Sequence, residues 1–143
     1  MADRTTAAPD SGARVTNRGP GRVLIAVYLL FAIAATSRAG FQLITKYHEA
    51  PLAYLLSALA AVIYTVAAAG LARANQTGRR VAVVCCLVEL IGVLTVGAAS
   101  VLAPEAFPDD TVWSRFGEGY GYVPVVLPVL GLVWLLRSSA TRR

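Results

Sequence analysis

The chain has 143 residues, is 57% hydrophobic and only 15% charged, with a mean hydropathy of +0.62. A soluble domain this small needs more polar surface and runs near one quarter charged, so composition excludes an ordinary soluble globule and indicates a one-domain polytopic membrane protein. The net charge is +5, but its arginines flank apolar runs, where orientation signals belong. No basic patch is interleaved with aromatics in the manner of single-strand binders, so no nucleic-acid partner is expected.

Residues 1–19 are polar, rich in Ala, Gly, Pro and Thr, and lack an apolar period. They read as a disordered cytoplasmic tail. The first span follows at about 22–44. Its fully apolar part is Val23–Ala35, and continuing through Arg38 to Ile44 gives a helix about 33 Å long, enough for the hydrocarbon core. A basic start, a short apolar stretch and Ser37-Arg38-Ala39 also resemble a signal peptide with its cleavage site, although the tail before it is long for one. Arg38 lies about two thirds of the way across and can snorkel to the headgroups.

Lys46–Pro51 is a polar break, with Pro51 suited to the first position of the next helix. The second span covers 52–72. Ala53, Ser57, Ala61, Thr65 and Ala69 recur every four residues, a row of small side chains that permits close helix packing in lipid. Tyr64 falls on the same side.

A short basic loop, ending in Arg79 and Arg80, leads to Val81–Leu102, the third span and the most apolar stretch. Its one ionisable carboxyl is Glu89, about 13 Å from the inner end. An ionised carboxylate there costs on the order of 3 kcal/mol, so Glu89 is expected to be protonated or paired. It shares a helix face with Cys85, Gly92 and Val96. Tyr64 is the level candidate for a hydrogen bond, while Arg38 lies nearer the outer surface. An acid at this depth either binds a proton or cation, or fixes helix register. Adjacent Cys85 and Cys86 point about 100° apart, which suits neither a disulfide nor a metal site, and they read as small apolar fillers.

The longest inter-span segment, Ala103–Tyr120, mixes Glu105, Asp109, Asp110 and Glu118 with Phe107, Trp113, Phe116 and Tyr120. That mixture predicts a segment lying at the membrane interface with its rings in the headgroup layer. Asp109 or Asp110 could cap a short helix. Gly117–Gly121 reads as a flexible hinge. The last span runs from about 121 to 136, with Pro124 and Pro128 expected to bend it, and 138–143 form a cytoplasmic tail.

With the amino end cytoplasmic, ten arginines fall inside, against Arg38, Lys46 and Arg115 outside. The positive-inside rule therefore gives four spans with both termini cytoplasmic. His48, Glu49, Asp109, Asp110 and Glu118 then share the outer side, where carboxylates either bind a divalent cation or are simply solvated. No catalytic motif is evident. The single histidine excludes bis-His haem within one chain, and no cofactor or metal is expected.

Ser37–Ile63 (SRAGFQLITKYHEAPLAYLLSALAAVI) and Thr111–Leu130 (TVWSRFGEGYGYVPVVLPVL) resemble a family of small four-span integral membrane proteins from high-GC actinobacteria. The resemblance covers roughly residues 20–137, implies a plasma-membrane location and carries no established activity. Small multidrug-resistance transporters also use a membrane glutamate, but in the first helix rather than the third. The expectation is thus an all-α, antiparallel four-helix transmembrane bundle. It would be a non-enzymatic accessory or scaffold component partnered by the bilayer, by itself or by another membrane protein. The alternative is a small proton- or cation-coupled transporter using Glu89.

Overall fold

The structure, a computed structural model, describes residues 19–140, with side chains through Ser138. The expected amino-terminal tail, apart from Gly19, and residues 141–143 lie outside the described residues. The described chain has four α-helices: α1 (Pro20–Thr45), α2 (Pro51–Ala72), α3 (Gln76–Leu102) and α4 (Val123–Ala140). Short 3-10 segments at Pro104–Ala106 and Ser114–Tyr120 lie between α3 and α4.

Local chemistry sets the boundaries. Pro20 and Pro51 open α1 and α2 at the first turn, where a missing N–H is harmless. The Asn75 side chain accepts from the Gly78 N–H at 2.7 Å, an N-cap that starts α3 at Gln76 rather than Val81. Arg79 and Arg80 are therefore inside the helix. Ser138–Ala140, expected in the tail, continue α4.

Helices α1, α2 and α3 are each long and apolar enough to cross a membrane. A fourth span is counted if Ser114–Tyr120 and Val123–Ser138, bent by 96° at their junction, form one unit. Consecutive helices pack on one another, and α1 also touches α4. The core is built from small residues and a few rings, including Ala32, Ala60, Ala67, Ala82, Tyr28 and Tyr64, whereas Leu30, Ile33, Val62, Ile91 and Leu130 point outward. This arrangement suits helix association in lipid, where close backbone approach replaces a hydrophobic drive. Two backbones come close at the α2–α3 corner. A Cβ on Gly78 would lie 2.6 Å from the Gly70 carbonyl oxygen, and one on Gly70 would lie 2.8 Å from the Gly78 oxygen.

The small-residue row on α2 divides. Ala53, Ser57 and Ala61 are buried; Thr65 and Ala69 are exposed. A four-residue step advances about 400° around a helix of 3.6 residues per turn, so the row drifts about 40° at each step and leaves the interface. The buried face passes instead through Tyr64, Ala67, Ala68 and Leu71.

The segment after α3 differs most from its sequence reading. Rather than leaving its rings free, it folds back against α3. Trp113 is 2% exposed, and its ring atoms stand 2.8–3.2 Å from where a Gly92 Cβ would be. The Phe116 ring fills the same space at Gly97. Two glycines on α3 thus form notches for two rings. Gly92 lies ten residues before the helix end, so Trp113 reaches back about 15 Å along α3.

Serine and threonine hold this turn. The backbone N–H of Thr111 donates to Ser114 Oγ at 2.8 Å, that of Trp113 to Thr111 Oγ1 at 3.0 Å and that of Arg115 to Ser100 Oγ at 2.8 Å. Asp109 and Asp110 do not cap a helix. Asp109 Oδ1 accepts from the Asp110 N–H, and its Oδ2 accepts from the Tyr54 hydroxyl at 3.0 Å. Arg115, Phe116 and Gly117 follow with φ of 51°, 62° and 84°, a left-handed turn costing about 1–2 kcal/mol for each non-glycine residue. The seated rings and the Ser100 bond offset that cost. The expected proline bend is preceded by the 96° turn at Gly121–Tyr122, both in left-handed conformation.

Candidate functional site

Glu89 is completely buried among the helices. Cys85 and Val96, expected on its face, are buried with it, and Gly92 sits beneath Trp113. The Tyr28 hydroxyl of α1 donates to Glu89 Oε2 at 2.8 Å. The same hydroxyl is 3.4 Å from Cys86 Sγ, so Cys86, Tyr28 and Glu89 form a short polar chain joining α1 to α3. Both cysteines are free thiols. Glu89 Oε1 is buried and has no hydrogen-bond partner among the described residues.

Tyr64 is close to this group without being the expected hydrogen-bond partner. Its ring lies 6.2 Å from that of Tyr28, and its hydroxyl accepts from Trp113 Nε1 at 3.1 Å. Phe31 meets Tyr64 edge-on at 5.7 Å and Tyr120 at 5.9 Å. The Tyr120 hydroxyl accepts from Arg38 Nη1 at 2.6 Å. A ladder of rings therefore runs from Glu89 through Tyr28, Tyr64, Phe31 and Tyr120 to Arg38. Of the three residues singled out in the sequence, Glu89 and Tyr64 meet through Tyr28, and Arg38 stands at the far end.

Tyr28 was the residue missed. Aligning Arg22 with Arg80 places Phe31 level with Glu89, and Tyr28 is one turn from Phe31 on the same face. That depth count held the signal.

A groove of about 420 Å³ runs between α1 and α2, with Thr36, Ala39, Gly40, Ala58, Ala61 and Thr65 along it. A Cβ on Gly40 would meet nothing within 4 Å. At the opposite end of α2, Arg79 Nη2 donates to the Leu135 carbonyl at 2.8 Å and ties α3 to α4. Among the described residues, no group of three or more His, Cys, Asp or Glu could hold a metal ion. His48 is exposed and packs edge-on to Tyr47, Asp109 is bonded to Tyr54, and Glu118 lies 4.0 Å from Arg115.

The arrangement can hold a proton on a buried carboxyl and can present an apolar groove to a neighbour. The chain matches no protein-family model, no curated protein and no solved structure.

Proposed function

We propose that this is a non-enzymatic, multi-pass protein of the plasma membrane, an accessory or scaffold component that works by receiving a transmembrane helix of another protein. The four helices are threaded alternately, antiparallel to their neighbours, with both termini cytoplasmic. This topology rests on the arginine distribution and on the short connections at 46–50 and 73–75. The accessory role rests on the groove between α1 and α2. It opens at membrane depth, where a docking segment must satisfy its own backbone and so be helical. Small residues along it allow that helix to come close.

The test is a crosslinked pull-down from native membranes, comparing the wild type with Gly40→Leu. A Cβ at Gly40 meets nothing within 4 Å, so the leucine starts in open space and fills the groove. Loss of a stoichiometric partner with unchanged thermal stability supports the reading; identical recovery from both proteins overturns it. A reporter fused after Ala140 must be labelled only from the cytoplasmic side.

One observation favours a second reading, a small proton- or cation-coupled transporter: the fully buried Glu89 Oε1 has no partner. Proton-dependent uptake into liposomes containing only this protein, abolished by Glu89→Gln, would establish it. Absence of such uptake would remove it.

A further inference from the structure

We infer that Glu89 is a proton-binding site, with the proton on Oε1, and that Trp113 encloses it on the side of α3 that leads to Leu102. The site exists whether or not the protein transports anything, so a failed uptake experiment leaves it standing.

The two carboxyl oxygens are inequivalent. Oε2 accepts the Tyr28 hydroxyl at 2.8 Å, and Oε1 has no hydrogen-bond partner of either kind among the described residues. A buried carboxylate needs several donors or a paired cation, and one phenol does not balance its desolvation. A neutral acid fits better: its carbonyl oxygen takes the Tyr28 donor, and an unpaired hydroxyl on Oε1 costs less than an unpaired charge.

The titratable groups facing Glu89 are Tyr28 from α1, Tyr64 from α2, and Cys85 and Cys86 from its own helix. At neutral pH all four are uncharged phenols or thiols. Helix α4 presents Gly131, whose Cβ position is 3.0 Å from Cys86 Sγ and 3.7 Å from the Tyr28 hydroxyl. The segment between α3 and α4 presents the Trp113 indole.

A calcium or magnesium ion is a poor alternative. Such ions take six or more oxygen ligands, and no metal-holding group is assembled among the described residues. The ligand that this chemistry accepts is a proton.

Enclosure follows from register. Gly92 is one turn beyond Glu89, and the Trp113 ring rests in its notch, with Nε1 bonded to Tyr64. The indole therefore stands beside the acid toward the Leu102 end of the bundle.

The test is infrared spectroscopy of the full chain in lipid nanodiscs, using isotope-labelled glutamate. The other three glutamates, Glu49, Glu105 and Glu118, are exposed, so a protonated-carboxyl band at neutral pH belongs to Glu89. The expected results are that band in the wild type, its shift to higher frequency in Tyr28→Phe, and faster deuterium exchange of the band in Trp113→Leu. A carboxylate signal alone, or a band indifferent to Tyr28→Phe, overturns the proton site. Unchanged exchange in Trp113→Leu overturns the enclosure. The wild-type spectrum decides the first point even if a Glu89→Gln variant does not fold.

Discussion

The benzene ring of Trp113 occupies the space that a side chain at Gly92 would need, with its nearest atom 2.8 Å from the missing Cβ. The contact joins the middle of α3 to a segment that begins only after α3 has ended. It seats the turn Thr111–Ser114, all four residues of which are buried, against α3.

Gly92→Ala should therefore unseat the indole. Overpacking of a filled interior costs about 1–3 kcal/mol. In a Trp134→Phe background, where Trp113 is the remaining indole, its fluorescence should move to longer wavelength and the midpoint of thermal unfolding should fall. An unshifted spectrum would show that the notch is not required.

The Gly70–Gly78 crossing predicts a contrast among glycines. A Cβ at Gly78 meets the Gly70 carbonyl at 2.6 Å and Arg73 at 2.7 Å, and backbone atoms cannot swing away; a Cβ at Gly119 meets nothing within 4 Å. Gly78→Ala should lower thermal stability in detergent by an amount typical of overpacking, about 1–3 kcal/mol. Gly119→Ala should stay within about 0.5 kcal/mol of wild type, as surface changes do.

Tyr28 and Glu89 should be energetically coupled. Tyr28→Phe leaves a buried carboxyl without its donor, a loss of about 1–3 kcal/mol. In a double-mutant cycle with Glu89→Gln, the coupling should fall within about 0.5–3 kcal/mol. Additive effects would mean that the 2.8 Å bond contributes nothing to stability.

Arg38 and Tyr120 make the other tie, between α1 and the segment that joins α3 to α4. Arg38→Ala should loosen that segment and raise the rate of tryptic cleavage after Arg115, whose side chain is exposed. Tyr120→Phe, which removes only the hydroxyl, should do the same. Cleavage at the wild-type rate in both would separate the tie from the segment's order.

The sequence made the long helices legible because length and hydropathy alone specify them, and Pro51 marked a start that the structure keeps. Glu89 stood out for the same reason: a lone acid in an apolar run must be buried in protein or neutral. The packing of the segment between α3 and α4 was not legible. Aromatics mixed with carboxylates suit a headgroup layer as well as a docked loop, and the two glycine notches look like ordinary transmembrane glycine until their ring partners are known. The row of small residues on α2 divides between bundle and surface, since a period of four separates from 3.6 over five members and leaves Thr65 and Ala69 exposed. The start of α3 was set too late because Arg79 and Arg80 were read as a boundary, whereas the Asn75 cap lies upstream of both.

The 61 positions separating Tyr28 from Glu89 have a consequence for how the chain is made. In co-translational insertion, α1 leaves the ribosome well before α3, so the phenol that will receive the acid already waits in the bilayer when Glu89 arrives. Trp113 and then α4 are synthesised afterwards, so the surroundings of the acid are complete only once both have been added to a pair already present. Moving α1 to the carboxyl end by circular permutation would reverse that sequence, leaving α3 to enter the lipid with its carboxyl unaccompanied.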